Sequence, residues 1–138
     1  MKKLITICLI VAATFTAKAQ DKEYENRYFY LYVPGTYQDN KTAYISDAIY
    51  YTTYNQCGVD YDFVAKAKAA FSTYLKVNYN SIFPSGTQNF IVVKYKEHST
   101  STYLKSRQDA SDRLNALKDE IIDENYKVNQ TNFSFSCN

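Results

Sequence analysis

The sequence predicts an α+β fold: a two-layer α/β sandwich in the order β-β-α-β-α-β, with two helices on one face of a mixed four-stranded sheet. Three observations carry this. Residues 28–33 (YFYLYV) alternate with the period of a half-buried strand. Residues 60–79 and 101–125 switch to steps of three and four, the period of a helix with one apolar face. The few punctuating residues (Gly35, Gly58, Gly86, Pro34 and Pro84) fall between these segments and not inside them.

In the first strand, Phe29, Leu31 and Val33 share one face and Tyr28, Tyr30 and Tyr32 the other. Pro34-Gly35 ends it. Residues 43–53 form the second strand, with Ile45, Ile49 and Tyr51 on one face and Tyr44, Ala48 and Tyr50 on the other. The polar TYQDNK connection makes an antiparallel hairpin of the pair. The first helix buries Phe63, Ala67, Phe71, Tyr74 and Leu75 and turns Lys66, Lys68, Ser72 and Lys76 outward. Asp60 or Asp62 supplies an N-terminal cap.

The third strand is 90–96 (FIVVKYK), with Ile91, Val93 and Tyr95 inward. The second helix carries a narrow stripe of Tyr103, Ala110, Leu114, Leu117 and Ile121, interrupted by Arg107, and its other faces are dense with charge. The last strand, 126–137, changes parity near Asn129–Asn132, because Val128 and the set Phe133, Phe135 and Cys137 cannot share a face without a bulge or turn. Each strand–helix–strand unit lays its two strands parallel through a right-handed crossover. The sheet face away from the helices then carries Tyr30, Tyr32, Tyr44 and Tyr50.

Residues 1–19 read as a secretory signal peptide. Lys2 and Lys3 precede a ten-residue apolar run, and Ala17-Lys18-Ala19 places small residues at −3 and −1 of a cleavage site. The run is too short to span a bilayer, which takes about 20 apolar residues. The expected product, 20–138, is one domain's worth of chain in the periplasm or outside the cell. Cleavage near Ala19 leaves 13 Lys and Arg against 14 Asp and Glu, so the full chain's net charge of +2 becomes −1. That balance lacks the basic footprint nucleic-acid binding requires.

Of three cysteines, Cys8 leaves with the leader. Cys57 and Cys137 remain, and in an oxidising compartment they are expected to pair. Closing a loop of about 80 residues is worth about 4–5 kcal/mol in the chain-entropy view.

Catalytic and metal chemistry are thinly represented. The single histidine, His98, adjoins Glu97 and a Ser/Thr run, with no orienting acid and nucleophile set by spacing. One histidine and no carboxylates at ligand spacing give no metal site, and no cofactor motif is present. Asp47 is the sharper anomaly. An unbroken second strand points it at the core, where a carboxylate needs a partner. Arg107 interrupts the apolar helix stripe in the matching way, so a buried Asp47–Arg107 pair is one expectation. A bulge that turns Asp47 outward is the other.

Tyrosine is in excess, with 15 Tyr, 8 Phe and no Trp. Rows of exposed tyrosine suit protein or sugar partners, because the side chain is amphipathic, stiff and cheap to order. The leading expectation is an exported, non-catalytic binding module using Tyr30, Tyr32, Tyr44 and Tyr50. An inhibitor or immunity-type protein docking through the charged helix face is the alternative, and a small hydrolase built around His98 the third.

Overall fold

A computed structural model describes residues 26–38, 40–52, 58, 60–80, 82–83, 90–94 and 104–137. The expected leader (residues 1–19), Cys57 and His98 lie outside the described residues. The α+β class and the mixed sheet are as the sequence predicts. The elements are β1 (Asn26–Val33), a 3-10 turn (Gly35–Tyr37), β2 (Thr42–Ile45), β3 (Ile49–Thr52), α1 (Asp60–Asn78), β4 (Val92–Lys94), α2 (Arg107–Asp123) and β5 (Lys127–Gln130).

β1 lies at the centre. β2 and β3 both pair antiparallel with it, with Tyr32 opposite Ile45 and Phe29 opposite Ile49. Ser46 N donates to Leu31 O, so Leu31 points its backbone groups toward β2 and β3. Tyr28 N points the other way, to Leu104 O. β4 pairs antiparallel with β1 on that second edge, and β5 pairs parallel with the far side of β2. β2, β3, β4 and β5 therefore run in one direction and β1 alone in the other.

The second strand is not continuous. Between the Tyr32–Ile45 and Phe29–Ile49 pairs one strand advances a residue more than the other, the signature of a bulge. Ser46 fills it. Its Oγ accepts from Leu31 N at 2.9 Å and donates to Asp47 O at 2.8 Å, taking the place of a ladder carbonyl in a fully buried site. A one-residue slip exchanges the faces of a strand. Ile45 accordingly packs on one side of the sheet, and Ile49 and Tyr51 on the other.

Those two sides are two cores. Phe29, Leu31 and Val33 join Phe63, Ala67, Phe71 and Leu75 of α1, together with Phe83, Ile91 and Phe133. Tyr30, Tyr32, Ala43 and Ile45 join Ala110, Leu114 and Ile121 of α2. The helices thus flank opposite faces of the sheet instead of sharing one. Crossover handedness explains this arrangement. The chain crosses β1 from β3 to β4 through α1 and returns from β4 to β5 through α2. Two connections of the same hand running in opposite senses must lie on opposite faces.

The second helix begins at Arg107, later than the periodicity implies, because Ser106 caps it. The Ser106 hydroxyl accepts from Asp109 N at 3.0 Å. It ends with Asn125 in the left-handed region at φ 63°, followed by a Tyr126 N–Ile121 O bond of Schellman type. Gly35 is required by close approach: a Cβ there would lie 2.5 Å from Tyr126 Cδ1. Ser72, expected outward, is buried at 4% exposure. β5 is shorter than the sequence suggests, and Phe90 and Ile91 stand outside β4. The parity change does occur after β5, where Val128 packs in the α2 core and Phe133 in the α1 core. Thr131 makes the turn, its N and Oγ1 both donating to Ile45 O at 2.7 and 3.0 Å.

Candidate functional site

The face expected to present tyrosines is closed. Tyr30 is 3% exposed and Tyr32 is 9% exposed, both under α2, while Tyr44 is buried in the opposite core. The burial of these tyrosines has a chemical reason. Tyrosine buries its ring as well as phenylalanine does, provided the hydroxyl finds a partner. Tyr30 OH donates to Ala110 O of α2 at 2.5 Å, and Tyr44 OH accepts from Asn40 Nδ2 at 3.2 Å. Tyr44 also packs edge-on against Tyr79 and Phe83. Of the four, only Tyr50 is exposed, at 46%.

Tyr50 opens onto a cleft of about 610 Å³ whose lining includes Tyr28, Tyr30, Asp47, Ala48, Arg107, Ser111, Leu114, Gln130 and Ser134. The fold assembles it from four places. The bulge after β2 contributes Asp47 and Ala48, β5 contributes Gln130 at its last residue, and the first turns of α2 contribute Arg107 and Ser111. The facing strands β1 and β3 contribute Tyr28 and Tyr50. The cleft thus sits at the carboxyl ends of the parallel strands β2 and β5, beside the amino end of a crossover helix. Open α/β sheets place ligands at that position.

Asp47 is held from three sides. Its N donates to Phe133 O at 2.9 Å, its O accepts the Ser46 hydroxyl, and its Oδ1 accepts from Gln130 Nε2 at 3.0 Å. It is half-buried at the cleft wall, not enclosed in the core, because the strand that would have pointed it inward is interrupted there. Arg107 lines the same cleft and is exposed. Among the described residues no ion pair joins Asp47 to Arg107; the carboxylate is taken by the Gln130 amide. As the first residue of α2, Arg107 sets a positive charge against the positive end of the helix dipole, a placement that costs about 0.3–1 kcal/mol.

Tyr28 and Tyr50 form one wall, with ring centroids 5.1 Å apart and planes inclined at 46°. Behind Tyr30 a separate cavity of about 90 Å³ lies between Lys94, Leu104, Arg113, Leu117 and Glu120. Lys94 Nζ sits 5.5 Å from the centroid of the Tyr32 ring.

Burial pushes the Tyr30 hydroxyl up to about 12, with the Asp47 charge adding to it. Burial does the same for Tyr32, also to about 12, helped by Glu124, Glu120 and Tyr126. The unfolded phenol ionises near 10. Stability present below pH 10 is therefore lost as pH climbs toward 12, since only the unfolded chain releases these protons. Denaturant midpoints are expected to fall across that window, and the Tyr30→Phe/Tyr32→Phe variant to fall less steeply. An equally steep fall in the variant would contradict the assignment.

No family model, curated protein or solved structure matches this chain. The cleft therefore has to be read from its own chemistry. Among the described residues there is no group of three or more His, Cys, Asp or Glu placed to hold a metal ion. Nor, among them, is any helix long and apolar enough to cross a membrane. The sequence singled out Tyr50, Asp47 and Arg107, and the structure brings all three to one cleft. It gave no signal for Gln130, which meets Asp47 across 83 residues of chain, or for Ser111 and Ser134.

Proposed function

We propose that this chain is an exported, non-catalytic binding module whose site is the cleft between the β2–β3 bulge and the amino end of α2. One observation carries the reading: Asp47, Arg107 and the exposed Tyr50 line a single cleft, while the other candidate tyrosines are spent in the two cores. A volume of about 610 Å³ is of the size that small ligands or a protruding segment of a partner occupy. The wall combines an aromatic face with a few fixed polar groups, the usual division between contact area and orientation. Among the described residues neither Ser111 nor Ser134 of the lining is hydrogen-bonded to a base, which favours binding over turnover.

Export rests on the three-part leader, with Gln20 as the expected first residue of the mature chain. The Cys57–Cys137 bridge belongs to the same proposal. Cys137 is half-buried against the α1 core and is not a free thiol. Mass measurement of the exported protein, alkylated without reduction, is expected to show no modified cysteine. Two alkylated thiols would remove the bridge from the proposal.

The cleft is tested by co-sedimentation with cell-envelope fractions. Tyr50→Ala combined with Arg107→Ala is expected to abolish sedimentation while moving Tm by no more than about 2 °C, as substitutions of exposed residues do. Undiminished sedimentation would exclude the cleft. Loss on changing Asp112 and Asp119 to lysine instead would favour docking through the outer face of α2, where both are exposed. That is how an inhibitor-type protein would behave.

A further inference from the structure

The chemistry of the cleft narrows its ligand. Among the described residues the charges facing it are one carboxylate, Asp47, and one guanidinium, Arg107, so the described lining carries no net charge to select an ion of either sign. An anion would have to sit beside the Asp47 carboxylate, and a cation beside Arg107. An apolar ligand would bury Asp47, Gln130, Arg107 and two serines without replacing their water, which is costly for polar groups and more so for charges. The lining suits an uncharged molecule that is rich in hydroxyls on its edge and apolar on its face.

The geometry of the polar groups points the same way. The bond from Gln130 Nε2 to Asp47 Oδ1 fixes a carboxylate and a carboxamide side by side. Asp47 is anchored further through its backbone, to Phe133 and to Ser46. The pair keeps one carboxylate oxygen, one amide oxygen and one amide hydrogen for a ligand, adjacent acceptors and a donor at a fixed separation. Vicinal hydroxyls, each both donor and acceptor, match that set. Across the cleft the inclined rings of Tyr28 and Tyr50 offer an aromatic surface with Tyr50 at 46% exposure, able to cover the C–H face of a pyranose ring. Arg107 and Ser111 stand along the α2 side as further hydroxyl partners.

We propose that the cleft binds a neutral saccharide, with Tyr50 and Tyr28 covering a sugar ring and the Asp47–Gln130 pair taking adjacent hydroxyls. This rests on the reading of the cleft as the binding site, and the experiment separates the two. The mature protein is titrated with neutral hexasaccharides, one each of β-1,4-glucose, α-1,4-glucose, xylose and N-acetylglucosamine, and with uncharged Gly/Ser hexapeptides. The Gln130 side-chain amide is followed by NMR.

At least one saccharide is expected to shift that resonance at millimolar concentration or below. Tyr50→Ala and Asp47→Asn are each expected to weaken that affinity tenfold or more without lowering Tm. Asp47→Asn keeps the size of the side chain and its bond from Gln130, so its loss of affinity reports the carboxylate and not the fold. A shift produced by the peptides alone overturns the saccharide and leaves the binding cleft standing. Saccharide binding that leaves the Gln130 amide unmoved and survives Tyr50→Ala overturns the placement in this cleft. No response to any probe overturns both readings.

Discussion

Truncating Phe71 to alanine is expected to cost about 3–5 kcal/mol, the range for a fully buried phenylalanine whose neighbours cannot close the space. Phe71 sits in the middle of α1 with no exposed surface. Its ring meets Phe133 at 4.9 Å between centroids and lies nearly parallel to Tyr74 at 6.4 Å. The loss reaches past the helix. Phe133 also touches Tyr74 at 5.4 Å, and its carbonyl holds Asp47 N, so the aromatic contact fixes the segment that follows β5. Alanine is the better helix former and returns a few tenths of a kcal/mol at most. Against a total of about 5–15 kcal/mol for a domain of this size, the variant should melt roughly 10–25 °C lower. A loss below about 1.5 kcal/mol would mean that the site collapses readily, contrary to its burial.

Ser46→Ala is expected to cost about 1–3 kcal/mol through a different mechanism: an orphaned backbone donor. The Ser46 hydroxyl is the acceptor for Leu31 N in a site without solvent, and no carbonyl stands in the bulge to replace it. The variant leaves the volume almost unchanged, so the cost is that of an unmade hydrogen bond and not of a cavity. Hydrogen exchange separates these causes. The Leu31 amide should exchange much faster in Ser46→Ala, while amides across the β1–β4 ladder keep their protection in proportion to the remaining global stability. Because the hydroxyl also holds Asp47 O, the Gln130 side-chain amide should shift as well. Unchanged Leu31 protection would show that the bulge is closed by something other than the serine.

Much of the fold could be read along the chain, because strand and helix periods are local properties. The alternation of 28–33, the helical steps of Phe63, Ala67, Phe71 and Leu75, and the stripe of Ala110, Leu114 and Ile121 all reappear as buried faces. What misled was the assumption that alternation means inside and outside. In β1 it separates Phe29, Leu31 and Val33, which enter the α1 core, from Tyr30 and Tyr32, which enter the α2 core, and both sets are buried. Hydropathy cannot distinguish a tyrosine facing water from one whose hydroxyl reaches a helix carbonyl, as Tyr30 does.

Asp47 was informative for the opposite reason. A carboxylate at an inward position must mean either a partner or a break in the strand, and the break is what occurs, at Ser46, one residue before Asp47. The cleft itself could not be anticipated. Its members come together only once β5 lies against β2, and no local pattern encodes that pairing.

The same pairing has a bearing on the order of events in folding. Hairpin contacts between β1 and β2 join nearby residues, but the bond from Thr131 to Ile45 closes across 86 residues, and the Gln130–Asp47 contact across 83. Contacts of that separation form late, because the intervening chain must first surrender its freedom. Until the last dozen residues arrive, the far edge of β2 presents bare amides and carbonyls, the kind of edge that recruits strands from other molecules. The cleft and the protection of that edge are thus completed in one step, by the C-terminal segment. A polypeptide released before residue 127 would lack both at once: the cleft would miss its Gln130 and Ser134 side, and β2 would stand as an open template for aggregation.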